Sequence, residues 1–151
     1  PKNYFDDAGN PFEYTDKHRL SYMVKALVSS KVSSRLSLLF NPTFAYKNMT
    51  LTLEEENHRI ILPLGARFKT SLTGSVLAEY HTLINKTGNE MDYMAIAYEI
   101  KTVSHVFQIH VSNSKDILDE YIYFSPKQNP FKGKFFIGFN MIKTFYLKQK
   151  M

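Results

Sequence analysis

The sequence predicts an all-β chain that folds as an antiparallel up-and-down transmembrane β-barrel, and three observations lead to this prediction. Apolar and polar residues alternate with a period of two, the alternating segments are long, and short connections alternate with long ones along the chain. Alternation indicates strands because successive side chains of a strand point to opposite faces of the sheet. Helical periodicity is not evident in any segment.

Each predicted strand has one apolar and one polar face. In the first, Leu20, Tyr22 and Val24 share one face, whereas Ser21 and Lys25 lie on the other. The predicted strands cover residues 16–29, 35–48, 58–69, 73–85, 92–102, 105–113 and 134–147. A strand of ten residues that is tilted by about 45° rises roughly 23 Å, close to the apolar height of a membrane barrel. Globular strands are shorter, typically about 5–6 residues.

The connections between these strands alternate in length. Those near residues 30–34, 70–72 and 103–104 are short, and those near 49–57, 86–91 and 114–133 are longer and polar. Outer-membrane barrels have short periplasmic turns and long external loops, so this order favours a membrane barrel. A soluble β-barrel that binds a small hydrophobic ligand would show the same alternation with its apolar faces turned inward, and this alternative stays open.

Composition excludes several classes of protein. The chain has 151 residues and no cysteine, so it has no disulfide framework and no thiolate metal site. Its net charge of +5 comes from dispersed lysines rather than a basic motif, which speaks against nucleic acid as a partner. Twelve Phe and ten Tyr are typical of the aromatic girdles of a barrel, so outer-membrane lipid is the expected surrounding.

The number of strands makes a prediction about domain organisation. Residues 1–15 are predicted to form an external loop and residues 16–147 the strands. A single-chain bacterial barrel has an even number of strands with both ends in the periplasm, whereas seven strands are counted here. We therefore expect residues 1–151 to be the C-terminal portion of one larger barrel domain, with further strands on the N-terminal side.

Several strand-sized phrases carry a resemblance to a known family. They are RLSY at 19–22, RLSL at 35–38, NPTF at 41–44, HVFQIHVSNS at 105–114 and FIGFN at 136–140. Over about residues 18–147 the chain resembles a Bacteroidetes β-barrel family of unknown function. The resemblance implies an outer-membrane barrel, with members about twice this length, and it brings no established substrate and no catalytic residues.

The polar faces of the predicted strands supply the candidate lumen-lining residues. They are Arg35, Arg59, Arg67, Glu79, His81, Glu99, Lys101, Gln108 and His110. These groups either line an open pore or neutralise one another and fill a narrow lumen, because unpaired charge in a confined site is costly.

No catalytic, cofactor or metal site is expected. His105 and His110 are five residues apart, so they point to opposite faces of a strand and cannot share a metal ion. Ser112, Asn113 and His110 lie close in sequence, but such triples are common by chance. The chain is therefore not expected to be an enzyme.

The long connection at 114–133 is rich in aromatic residues. Tyr121, Tyr123, Phe124 and Phe131 are the candidate docking residues of this loop, which either folds over the barrel mouth or binds a partner. The expected partners are other outer-membrane or periplasmic subunits. Together these patterns predict a non-enzymatic β-barrel of the bacterial outer membrane, acting as a structural or channel component of the envelope.

Overall fold

The computed structural model describes residues 4–5, 11–12, 20–48, 56–86, 90–116 and 118–145. These residues form eleven strands, one α-helix and one 3₁₀ turn. The strands are β1 (Tyr4–Phe5), β2 (Pro11–Phe12), β3 (Ser21–Lys25), β4 (Val28–Lys31), β5 (Leu36–Phe40), β6 (Thr43–Lys47), β7 (His58–Lys69), β8 (Gly74–Leu83), β9 (Tyr93–Lys101), β10 (His105–Ser112) and β11 (Phe136–Lys143). The helix α1 covers Asp119–Phe124, and the 3₁₀ turn covers Pro130–Lys132.

Four of these strands are the halves of two longer ones. β3 and β4 pair with β6 and β5 in one continuous register, in which Lys25 faces Thr43 and Val28 faces Phe40. The break between β5 and β6 includes Pro42, which has no N–H to donate to the ladder. Its carbonyl oxygen still accepts a hydrogen bond of 3.0 Å from the backbone N–H of Ala26. Joining the halves gives seven long strands, at the positions that the alternation predicts.

The long strands form one antiparallel sheet. Its order is β11-β10-β9-β8-β7, followed by the β5/β6 strand and then by the β3/β4 strand. Each strand pairs with its neighbours in sequence, so the sheet is an up-and-down meander, and the predicted all-β fold class is confirmed. Within the described residues the sheet is not closed, because β11 does not pair with β3 or β4. Six antiparallel steps separate these two edges, so their strands run in the same direction.

The two ends of the sheet differ in their connections. Short turns at 32–35, 70–73 and 102–104 lie at one end, called here the short-turn end. The connections at 48–57, 84–92 and 113–135 lie at the other, the long-loop end. At Gly74 a Cβ atom would lie 2.5 Å from the hydroxyl oxygen of Tyr98 and 2.9 Å from that of Ser71, so the close packing where this short turn enters β8 favours glycine.

The pairing register separates the side chains into two faces. The inner face, defined as the face on which α1 packs, carries the polar set that the sequence predicts. The outer face carries the apolar set and is exposed, with Val24 at 68% and Ile137 at 71% of full accessibility. A soluble barrel would turn its apolar side chains towards the interior. The exposure of the apolar face therefore favours a membrane barrel over that alternative.

Three details differ from the sequence prediction or fall beyond the structure. The predicted external loop 1–15 contains β1 and β2, which pair antiparallel, with Tyr4 opposite Phe12. The other residues of that loop lie outside the described residues, as do 16–19 and 146–147 of the predicted strands. The connection at 114–133, predicted without helix, contains α1 and the 3₁₀ turn. Within the described ranges, no helix has the length and apolar character needed to cross a membrane.

The outer face yields a first prediction. Leu64 lies near the middle of β7 and points outwards, so Leu64→Arg places a charge on the lipid-facing side of the sheet. We expect the free energy of unfolding in lipid vesicles to fall by about 2–4 kcal/mol, the depth-dependent cost of arginine near the midplane. The control is Gln108→Arg on the inner face, where the new cation would lie beside Glu99 of β9 and should change stability by less than about 1 kcal/mol. Equal losses in the two variants would contradict this assignment of faces.

Candidate functional site

The inner face is covered at the long-loop end by the connection between β10 and β11. We call residues 113–135 the plug segment. Its side chains Ile122 and Tyr123 are 5% and 3% exposed. They pack in a single cluster with one inner-face residue from each of β6, β7, β8 and β9. These residues are Ala45, Ile61, Leu83 and Tyr93. The plug segment is therefore part of the one buried apolar cluster found among the described residues.

Backbone hydrogen bonds shape the plug segment. In α1 the N–H of Ile122 donates to the carbonyl of Leu118 at 3.0 Å, and the N–H of Ser125 donates to the carbonyl of Tyr121 at 2.8 Å. A helix of six residues is too short to be stable alone, so packing on the sheet has to hold it. The following 3₁₀ turn ends at Gly133, whose φ of 73° is the left-handed conformation that glycine adopts without strain.

Asn113 fixes the start of the plug segment to the sheet. The residue is 1% exposed, and its side-chain oxygen accepts a hydrogen bond from the N–H of Met94 at 3.0 Å. Its side-chain nitrogen donates to the carbonyl of Asp92 at 2.8 Å, and its backbone carbonyl accepts from the N–H of Gln128 at the same distance. Asn113 thus holds β9, the preceding loop and the plug segment together through its side-chain amide and its backbone carbonyl.

Cations of the sheet surround the helix. Lys25 forms an ion pair with Asp119 of α1, and its Nζ lies 5.9 Å from the ring centre of Tyr123. The ring of Phe124 lies between Lys47 Nζ at 5.7 Å and the guanidinium carbon of Arg59 at 5.8 Å. Contacts of this kind contribute about 0.5–2 kcal/mol each, depending on desolvation. They orient the aromatic side of the helix towards the sheet.

Arg59 and Glu90 form a bidentate ion pair at the long-loop end. The guanidinium nitrogens of Arg59 lie 2.9 and 2.8 Å from the two carboxylate oxygens of Glu90, and the arginine side chain is only 3% exposed. This geometry matches the fork of the guanidinium to both carboxylate oxygens. The buried charge of this candidate lumen residue is thereby neutralised.

The other candidate lumen residues occupy the middle of the inner face. Arg67 donates to Glu99 at 2.5 Å, a pair that joins β7 to β9 across β8. His81 Nε2 lies 3.7 Å from Glu79, and the imidazole ring packs on Tyr93 with the ring centres 4.6 Å apart. These groups interact with one another rather than facing an open channel singly.

Four further candidates lie on β10 or at the short-turn end. Gln108 accepts a hydrogen bond of 3.0 Å from Asn140, and the ring of His110 lies over Gly138, where a Cβ atom would approach it to 2.3 Å. Lys101 ends β9 and Arg35 lies in the turn before β5, and both are exposed at the rim. The nine predicted residues therefore share one face but divide between its middle and its two ends.

The four aromatic candidates of the long connection separate into two pairs. Tyr123 and Phe124 contact the sheet of their own chain, so the loop folds onto the inner face with these rings. Tyr121 and Phe131 point away and are 50% and 84% exposed.

The sequence reasoning missed Asn113 and Asp92 as organising residues. Asp92 accepts hydrogen bonds from Tyr80 at 2.7 Å, Lys86 at 2.7 Å and the N–H of Leu83 at 3.1 Å, which fixes the loop between β8 and β9. Burial alone would raise the pKa of Asp92, but these hydrogen bonds lower it below its ordinary value. Asparagine and aspartate directly beside strand ends were the only signal available in the sequence.

Side chains that ligate metals do not cluster in the described part of the chain. No group of three or more His, Cys, Asp or Glu side chains there converges in a way that could hold a metal ion.

Burial lowers the pKa of Lys127 in the plug segment, and the neighbouring charge of Glu90 opposes that shift. Lys127 is half-buried and borders a small cavity together with Asp92 and Tyr123.

A sheet with an exposed apolar outer face, a charged inner face and an inward-folded loop is the wall of a membrane β-barrel. The chain belongs to the family described as membrane bound beta barrel domain (DUF5777), whose model matches residues 3–145. This assigns the protein to a membrane and confirms the β-barrel that the sequence predicts. No curated protein and no solved structure matches the chain.

The plug segment yields a second prediction. In Ile122→Asp a carboxylate enters the apolar cluster, at a cost of several kcal/mol, so the segment should leave the inner face while the strands stay paired. We expect trypsin to cut after Lys127 at least about tenfold faster, as measured by mass spectrometry of the folded protein in detergent. The matched control is Tyr121→Asp, because Tyr121 lies on the exposed side of the same helix. Similar cleavage rates in both variants would contradict the docking of α1.

Asp92 yields a third prediction, on pH dependence. Because the folded protein lowers the pKa of this carboxyl, Asp92 stabilises the fold above its unfolded pKa of about 3.9, and this stabilisation is lost as the pH falls below that value. Asp92→Asn should therefore lower the free energy of unfolding at pH 7 by about 1–2 kcal/mol and have less effect at pH 3. Urea titrations at the two pH values measure this. An equal loss at both would show that the charge of Asp92 does not matter.

Proposed function

We propose that the protein is a non-enzymatic β-barrel of the bacterial outer membrane, in a Bacteroidetes-type envelope, with its lumen closed at the long-loop end by the plug segment. Membership of a membrane-bound β-barrel family supports the membrane part of this proposal. The observation that carries the rest is the packing of Ile122 and Tyr123 onto the inner face. The barrel then acts as a structural envelope component, or as a channel that is closed at rest.

The charge arrangement favours a closed lumen over an open pore. Arg59 is paired with Glu90, and Arg67 is paired with Glu99. Charges that line a wide aqueous pore keep their water, whereas these pairs hold the side chains against the wall and against each other. A general porin with a freely conducting lumen is therefore the less favoured form of the proposal.

The direction of the edge strands limits how the barrel closes. β3/β4 and β11 run in the same direction, so a barrel that stays antiparallel needs an odd number of further strands between them. This requirement agrees with the expectation that the chain is part of a larger barrel domain.

The hydrogen bonds of Ser112 and Asn113, near the end of β10, support the non-enzymatic part of the proposal. Ser112 donates its hydroxyl hydrogen to the carbonyl of Ser114 at 2.7 Å, and the amide of Asn113 is engaged with backbone groups. A hydrolytic site would need a serine that donates to a histidine base. Ser112 and Asn113 are instead used to hold the start of the plug segment.

Exposed aromatic residues at the long-loop end favour a protein partner. Tyr121 and Phe131 are not used by the fold, and aromatic residues of this kind anchor protein interfaces. As part of the proposal, these two rings bind another subunit of an outer-membrane complex.

Conductance and fractionation test the proposal together. The complete protein should be extracted from envelopes only by detergent and should show heat-modifiable mobility on gels. In planar lipid bilayers the wild type and Tyr121→Asp should remain closed, whereas Ile122→Asp should open ion-conducting channels. Recovery without detergent would overturn the membrane assignment, and steady porin-like currents from the wild type would overturn the closed lumen.

A further inference from the structure

A groove of about 310 Å³ lies on the outer face at the long-loop end of β9 and β10. Met94, Ile96 and Val111 border it from the sheet, and Pro130 and Phe135 border it from the plug segment. Ile96 lies opposite Val111 in the pairing of the two strands, so these side chains share the outer face. The groove is therefore apolar on both sides, and it lies on the face that meets lipid in a membrane barrel.

Both polar side chains that border the groove are engaged within the protein. The hydroxyl of Ser112 donates to the carbonyl of Ser114 at 2.7 Å, and the amide of Asn113 is bonded to backbone groups of Met94 and Asp92. The surface that the groove offers is therefore hydrocarbon. A polar molecule would lose hydrogen bonds to water there, whereas an alkyl chain would not. Because the family is membrane-bound, the alkyl chain at this face is that of a lipid.

Two lysines lie in the turn that joins the plug-segment residues of the groove. The chain reverses at Gly133, whose N–H donates to the carbonyl of Pro130 at 3.0 Å, and Phe135 then returns to the groove. Lys132 and Lys134 lie on either side of Gly133, and both are exposed. Lysine stems lie readily along apolar surface while the ammonium groups stay at the level of lipid headgroups. The turn thus places two cations beside the apolar groove.

The charge on this side of the plug segment is positive. Residues 121–151 contain several lysines and neither aspartate nor glutamate. Earlier in the plug segment, Asp119 is paired with Lys25, and Asp116 borders the interior rather than the groove. Lysines next to a membrane surface attract lipids with anionic headgroups. The charge therefore selects among the lipids that the apolar groove accommodates.

We propose that this groove binds one anionic glycerophospholipid, with an acyl chain against Ile96 and Val111 and the phosphate beside Lys132 and Lys134. The depth agrees, since Val111 is the penultimate residue of β10 and the exposed ring of Phe135 lies at the same end. Aromatic side chains mark the level at which headgroups begin. Free phosphate would use the lysines without the groove, and a zwitterionic lipid would use the groove with less gain from the lysines. The site lies on the outer face, so it does not depend on whether the lumen is closed.

Native mass spectrometry of the complete protein in a neutral detergent tests the proposal. The probe is phosphatidylglycerol, and the matched probe is phosphatidylcholine with the same acyl chains. We expect one phosphatidylglycerol to be retained per protein, at least about tenfold more tightly than phosphatidylcholine. Lys132→Gln combined with Lys134→Gln should reduce phosphatidylglycerol binding to the level of phosphatidylcholine. The control is Lys31→Gln combined with Lys69→Gln, which removes two exposed cations at the short-turn end and should leave binding unchanged.

Two further variants test the groove itself. Ile96→Trp fills it and should weaken the retention of both lipids, with heat-modifiable mobility on gels showing that the barrel is folded. Ile109→Trp is the matched change, because Ile109 is equally exposed on the outer face of the neighbouring strand and does not border the groove. The proposal is overturned if neither lipid is retained, if phosphatidylcholine binds as tightly as phosphatidylglycerol, or if excess inorganic phosphate displaces the lipid. Equal effects of either variant and its matched control would also overturn it.

Discussion

The contact between α1 and the inner face is the interaction on which the interior of this protein depends. Within the described residues one buried apolar cluster exists, and Ile122 and Tyr123 of the plug segment are part of it. A membrane barrel has no core of the globular kind, because its apolar faces meet lipid. The plug segment therefore provides the interior with its only dense apolar packing in this part of the chain, and the charged groups around it are arranged to fit.

The charged residues of the inner face follow from the same constraint. An arginine whose side chain is buried loses much of its water, so it requires a partner at short distance. Arg59 finds Glu90 in the loop before β9, and Arg67 finds Glu99 two strands away.

Much of the sheet was predictable because its pattern is local. The pleat sends alternate side chains to opposite faces, so the faces of β7, β8, β9 and β10 can be read directly from the order of residues. The breaks at Pro42 and between β3 and β4 were not predicted, since alternation continues through them. The helix α1 was also missed, because six residues are too few to show a helical period and their conformation depends on the sheet beneath.

The sequence by itself determined the fold class, the seven long strands and the set of residues on the polar face. Only the tertiary structure decided which partners these residues meet: Arg59 pairs with Glu90, and Arg67 pairs with Glu99. It also decided that Tyr123 turns inward while Tyr121 stays exposed. The physical reason is that the face on which a strand residue lies follows from the local alternation of side chains. Its contacts in the barrel interior depend instead on the strand register and on how a distant loop folds back.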